Sequence, residues 1–371
     1  MDERVLRAMM PYFHDDFYNP SAAYLAARHV RDAVEEARHQ LAIAIGARPA
    51  EIILTAGATE SINLALNGVE GKIVTYAIEH ESVLNVAKSR DGIILPVNER
   101  GRIDLNELRQ AVDDEVSLIS IGYVNSEIGV VQDLKAISDI VAEIRENRRQ
   151  HQIDRPLFLH TDASQAAGLF DLNVARLGVD LMTLNASKCY GPKQTGLLYV
   201  RAGVRLKPLI IGGGQELGLR SGTENVPSVI GFAKALGLAN KLRGSEYKRL
   251  EGLRNELKLY LSHNLPDIKF NECKKHHSPA ILNFSVPGID GERVVFALDE
   301  LGTMVATGSA CAANKGLRSH VLTALGSDDA TADGSIRLSL GRPTTMEEIK
   351  QAEEQIVMTI NSQRRFGSMD A

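Results

Sequence analysis

Apolar residues along the first two hundred positions follow two alternating rhythms. Val30, Val34, Ala37, Leu41 and Ile45 recur at three- and four-residue steps, the spacing of an amphipathic helix. Short apolar runs, each the length of a buried strand, fall at 52–54, 73–76, 93–97, 118–121, 157–159, 181–184 and 197–200. Helical patterns separate them at 59–67, 82–89, 104–112 and 134–145. Such alternation predicts an α/β fold with a mainly parallel sheet covered by helices on both faces. A long helical stretch over 229–261 leads into a second, shorter series: a strand at 281–286, a helix from Glu292, a strand at 336–340 and a last helix from Thr345. The expected organisation is a large domain over 12–245 and a smaller C-terminal α/β domain over 246–371, with 1–11 packing on the latter. The polar tail 364–371 reads as disordered.

A chain of 371 residues suits two domains. Its 44% hydrophobic and 24% charged residues are ordinary for a globular protein. A net charge of −5 gives no reason to expect nucleic acid or an anionic membrane as partner. The apolar runs are too short to span a bilayer. The start, Met1-Asp2-Glu3-Arg4, has no apolar signal core, so a cytoplasmic location is expected. Three cysteines, Cys189, Cys273 and Cys311, are too few and too scattered for a disulfide framework or a zinc site, and no metal is expected. Cys189 and Cys273 read as small buried hydrophobes.

In doubly covered parallel sheets, ligands bind at the carboxyl ends of strands. Gly57, His80, Asp162 and Lys188 all fall where predicted strands end. The segment Thr55-Ala56-Gly57-Ala58-Thr59-Glu60 joins a strand to a helix and suits a phosphate cradle, although a plain glycine-turn cap has the same letters. Lys188 lies at a strand-to-turn junction among small residues and is expected to point inward. Its rival Lys193 follows the turn that carries the chain away. An amine that holds an aldehyde cofactor and a carboxylate on a ring nitrogen mark pyridoxal 5′-phosphate (PLP) chemistry, with Lys188 and Asp162 in those roles. Gln165 suits the cofactor's phenolic oxygen. The flat ring of His80 suits stacking and proton transfer, against the plainer reading of an exposed cap. Cys311, in a stretch of small residues, suits an attacking thiolate. Arg337, a charge inside a strand pattern, is preferred over Arg342 for a substrate carboxylate.

Taken in order, these motifs resemble the cysteine desulfurase family, within the class V aminotransferases of PLP fold type I. The resemblance runs from about Asp2 to Ile360. It rests on Gly57-Ala58-Thr59-Glu60, Glu79-His80, Asn125-Ser126-Glu127-Ile128-Gly129, 160–165, Lys188 with Tyr190-Gly191-Pro192-Lys193, 212–216, 220–225 and 307–311. The ungapped stretch between Cys311 and Arg337 is similar to the long-loop branch, which feeds iron–sulfur scaffolds and tRNA thiolation enzymes. The resemblance implies that Lys188 holds the cofactor aldehyde, that Asp162, Gln165 and His80 bind the ring, and that Ala58, Thr59 and Asn185 serve the phosphate. It implies that Thr223 reaches the phosphate of a neighbouring subunit in a homodimer. Arg337, with Asn125 and Ser126, would hold L-cysteine, and Cys311 would take the sulfur as a persulfide.

The chain departs from the pattern at several places. Ser126 stands where the family usually has a second asparagine. Ser187 replaces a histidine, and Asn185 replaces a phosphate-binding serine but still offers a hydrogen-bond donor. The usual first strand, an Asp-Asn-Ala-Ala-Thr-Thr-like segment, is absent from the start. Selenocysteine lyase or another class V reaction is the alternative enzyme reading. A weakly active interaction protein of sulfur assembly is the alternative from a different class.

Overall fold

The computed structural model describes residues 1–308 and 318–367. Two compact units divide it. The larger holds Met1–Leu95, Leu105–Tyr123 and Gln132–Arg243, and the smaller holds Pro96–Asp104, Val124–Val131 and the chain from Gly244 on. The first residues belong to the larger unit, not the smaller one expected from the sequence. The reason is long-range: the Asp2 amide donates to the Tyr190 carbonyl at 3.0 Å, and Met9 is buried.

The larger unit is built on a seven-stranded sheet. Its strands are β1 (Ile52–Thr55), β2 (Lys72–Tyr76), β3 (Ile93–Leu95), β4 (Val116–Gly122), β5 (Phe158–Asp162), β6 (Leu181–Asn185) and β7 (Gly196–Val200). They lie in the order β1-β7-β6-β5-β4-β2-β3. Strands β2 to β6 pair in parallel, and β7 runs antiparallel to both its neighbours. Strand β4 is buried along nearly its whole length, as a sheet covered on both faces requires. Helix Ala58–Gly68 buries Ile62, Leu64 and Leu66 fully. Each such side chain is worth ~1.5–3 kcal/mol. That outweighs the few tenths of a kcal/mol lost by starting the helix at Gly57 without a side-chain cap (~0.3 kcal/mol against serine).

One polar rung crosses this core. His160 on β5 is fully buried, with Nδ1 2.9 Å from Ser120 Oγ on β4 and Nε2 3.0 Å from Thr183 Oγ1 on β6. Burial pushes the imidazole pKa down to about 3, so the ring is neutral.

In the smaller unit, β8 (Lys269–Phe270), β9 (Ile281–Ser285) and β10 (Ser335–Ser339) form an antiparallel sheet in the order β10-β9-β8. Arg254, Lys258 and Glu272 form a charged cluster around it, with Arg254 buried. Helix Val226–Asn264 contributes residues to both units. The last helix, Met346–Gly367, extends past Arg364, where the sequence suggested disorder. Its apolar stripe of Ile349, Ala352, Ile356 and Ile360 is buried, and Arg364 bonds to Asp267. Arg364 and Arg365 belong to this packed helix, and 368–371 lie outside the described residues. No described helix is long and apolar enough to cross a membrane.

Two predictions follow from the sheet. A Cβ on Gly196 would stand 2.7 Å from the Leu184 carbonyl and 2.8 Å from the Gly57 backbone. Gly196→Ala should therefore destabilise by about 1–3 kcal/mol, read from denaturant unfolding; an unchanged midpoint would contradict the packing. His160 gives an acid limb. An unfolded histidine takes its proton near ~6.5, but the folded one waits until about 3. Stability is complete above the first value and is lost as pH falls towards the second. The thermal midpoint should drop over that range, and His160→Gln should flatten the decline between ~6.5 and ~4.5.

Candidate active site

Strands β2, β4, β5 and β6 end at one edge of the larger unit's sheet. Strand β1 ends there too, since it and β6 both run antiparallel to β7. This edge carries Gly57 to Thr59, His80, Asp162 to Gln165 and Asn185 to Lys188.

The cradle after β1 is locally fixed. Thr55 Oγ1 lies 2.7 Å from Ser61 Oγ, and Glu60 accepts the Ala56 amide at 3.1 Å and Arg220 Nε at 2.9 Å. Gly57 has φ 133°, a conformation open to glycine alone, and nothing lies within 4 Å of where its Cβ would be. The helix that starts there has no side-chain cap hydrogen bond. Its first-turn amides and dipole are left to an anion. Ala58 is half-buried and Thr59 exposed. Thr223 is also exposed, three residues beyond the Arg220 that holds Glu60.

Asp162 ends β5, and its Oδ1 accepts the Ser164 amide at 3.0 Å. Gln165 sits half-buried in the single 3₁₀ turn that follows. Ser164 Oγ is buried there without a hydrogen-bond partner among the described residues. His80 is the exposed cap of helix Glu81–Ser89, and its Nδ1 accepts the Ser82 amide at 3.1 Å and lies 2.8 Å from Ser82 Oγ. Both contacts fall on one ring nitrogen, so the ring is oriented and Nε2 points elsewhere.

Lys188 corrects an expectation: it is exposed, not turned inward. The cause is the 3₁₀ turn Ala186–Cys189, in which residues three apart share a face. Ala186 and Cys189 take the buried face, with Cys189 Sγ 3.3 Å from the Ala186 carbonyl, so Ser187 and Lys188 face out. Asn185 Oδ1 caps this turn by accepting the Ser187 amide at 3.1 Å and its hydroxyl at 3.0 Å. Cys189 and Cys273 are both buried, as the sequence suggested.

The smaller unit gathers Asn125, Ser126 and Arg337. Asn125 Oδ1 accepts the amides of Glu127 and Ile128, each at 2.9 Å, so its oxygen is used by its own turn. Arg337 on β10 donates from Nη1 to the Ser126 carbonyl at 3.3 Å, and its buried Nε has no partner among the described residues. Burial lowers the guanidinium pKa, opposed by the charge of Glu127. Cys311 lies outside the described residues.

Two acids here were not singled out from the sequence. Glu79 is buried, and both its oxygens lie 2.9 Å from the Gly122 amide. Burial, opposed by the hydrogen bond from Gly122 and aided by the charge of Asp162, pushes its pKa up to about 8. Glu127 is buried too, accepts the Ser319 hydroxyl and has its pKa raised by burial. The signal was present as an acid flanked by apolar residues, Ile78 and Ile128, at positions where a charge needs a reason.

The larger unit's donors fit a phosphorylated pyridine aldehyde. An uncapped helix start suits the phosphate, a carboxylate and an unpartnered buried hydroxyl lie at the end of β5, and an exposed amine lies at the end of β6. The comparisons agree. The model of the class V aminotransferase family matches residues 1–352. A cysteine desulfurase IscS of Dictyoglomus turgidum is 38% identical, covering 94% of this chain and 88% of that protein. A cysteine desulfurase of Mus musculus is 37% identical over 100% of this chain and 81% of its own length. A solved NifS-like protein superposes with a TM-score of 0.87 at 32% identity, covering 97% of this chain and 96% of that one. The chain belongs to the PLP-dependent class V aminotransferase family and, within it, to the cysteine desulfurases.

Proposed function

We propose that the protein converts L-cysteine to L-alanine and holds the sulfur as a persulfide on Cys311 for transfer to an acceptor. The observation that carries this reading is the exposed Lys188 amine at the sheet edge shared with Asp162 and the uncapped helix start. The names of the relatives support the choice of substrate.

Bound PLP supplies an electron sink beside the substrate's α-carbon. Lys188 would hold its aldehyde carbon and, once displaced by the substrate amine, act as a base on the α-proton. Asp162 would hold the pyridine nitrogen and Gln165 the phenolic oxygen. The amides of Ala58 and Thr59, the Thr59 hydroxyl and the Asn185 side chain would hold the phosphate. His80, oriented by Ser82, would stack on the ring and offer Nε2 for proton transfer. Arg337 takes the substrate carboxylate, with Asn125 and Ser126 beside it. Cys311, as thiolate, accepts the substrate's sulfur.

A homodimer, in which Thr223 serves the second subunit's phosphate, is part of the proposal. The larger unit leaves Phe17 76%, Leu25 80% and Ile211 85% exposed, apolar surface that a second copy would cover. The acceptor class is an iron–sulfur scaffold or a tRNA-thiolating enzyme, and the compartment is the cytoplasm.

Cys311→Ala should lose alanine production from cysteine down to background while the visible absorbance of bound PLP survives. Full turnover by this variant would refute the sulfur-carrier role. Arg337→Ala should raise KM for cysteine about 10–100-fold, the loss of a charge-assisted contact worth ~1.5–3 kcal/mol. An unchanged KM would remove Arg337 from the substrate site.

A further inference from the structure

The roles above leave Glu79 without one. It stands next to His80 but turns the other way, into the sheet, and is buried. Both its oxygens lie 2.9 Å from the Gly122 amide at the end of β4. Gly122 is the strand partner of Asp162, and the next amide, Tyr123, donates to the Asp162 carbonyl at 2.9 Å. The contact is close: a Cβ at Gly122 would stand 3.0 Å from Glu79 Oε2, so a larger residue there would press on the carboxyl.

We infer that Glu79 is a positioning residue for cofactor binding: its carboxyl, held on the Gly122 amide, ties the turn after β2 to the end of β4, whose next amide holds the Asp162 carbonyl, and so fixes where Asp162 is presented. The inference rests on the proposed role of Asp162 at the pyridine nitrogen. The Gly122 amide favours the charged carboxylate, but burial outweighs it and the charge of Asp162 adds to burial, so the pKa is pushed up to about 8 and Glu79 keeps its proton at neutral pH. Asp162 is a charged group that acts on it; of the histidines nearby in the chain or sheet, His160 on β5 is neutral and His80 caps its own helix. Because the neutral form acts, an amide of the same shape should serve, and a shorter acid should not.

The test is PLP affinity of the apo-protein at neutral pH. Glu79→Gln should bind within twofold of the parent. Glu79→Asp keeps the acid but withdraws it from Gly122, and should bind about tenfold more weakly, with circular dichroism showing an intact fold. A second readout needs no cofactor. The folded carboxyl holds its proton up to about 8 while the unfolded one releases it near ~4.3, so stability falls as pH rises between those values. Glu79→Gln should flatten that fall in the thermal midpoint. Unaltered affinity in Glu79→Asp, an equal loss in Glu79→Gln, or an unchanged pH course would each overturn the inference. Asp162→Asn separates the two readings. If it binds PLP with normal affinity and absorbance, the role of Asp162 itself fails; if it loses both while the Glu79 variants behave as the parent, only the inference does.

Discussion

Strand register holds the larger unit's candidate residues together. Gly122 is opposite Asp162, Asp162 is opposite Thr183, Asn185 is opposite Gly196, and Gly196 is opposite Thr55. They form two rows, Gly122–Asp162–Thr183 across β4, β5 and β6 and Asn185–Gly196–Thr55 across β6, β7 and β1, two residues apart on β6, and each functional turn leaves the sheet from one of them or just beyond it. A slip by one residue would send every side chain of a strand to the other face. Two devices oppose a slip: the buried rung from Ser120 through His160 to Thr183, and Gly196, seated against the Gly57 backbone. The cradle, the carboxylate and the lysine turn are thus placed by two hydrogen-bonded rows that share β6.

Charge is handled by burial. His160 is kept neutral far below its ordinary range, and Glu79 holds its proton well above the carboxylate range. In the smaller unit burial also raises the pKa of Glu127, which accepts the Ser319 hydroxyl. Arg337 keeps a buried Nε unpartnered among the described residues, an unsatisfied donor that costs about 1–3 kcal/mol and fits a residue kept for a ligand.

Much of this was legible in the sequence, for physical reasons. Buried parallel strands are short unbroken apolar runs, so their carboxyl ends, and with them Gly57, Asp162 and Lys188, could be placed from the letters. Other features depend on contacts distant in sequence. The antiparallel course of β7 is not written in Gly196–Val200, which is as apolar as its parallel neighbours. The first residues lie with the larger unit because of Tyr190, far along the chain. The outward aim of Lys188 comes from a 3₁₀ turn, and the letters Asn185-Ala186-Ser187 are equally compatible with a bend that would bury it. Glu79 looks like a solvated acid beside His80 and Glu81, and only the amide of Gly122 explains its burial. Cys311, singled out from its motif, lies outside the described residues.

The account stands or falls on a covalent bond between Lys188 and the cofactor aldehyde. Borohydride reduction of the PLP-saturated protein, followed by peptide mass mapping, tests it directly. The expected result is a single pyridoxyl label on Lys188. A label on Lys193, or an unlabelled Lys188 in saturated protein, would contradict the account.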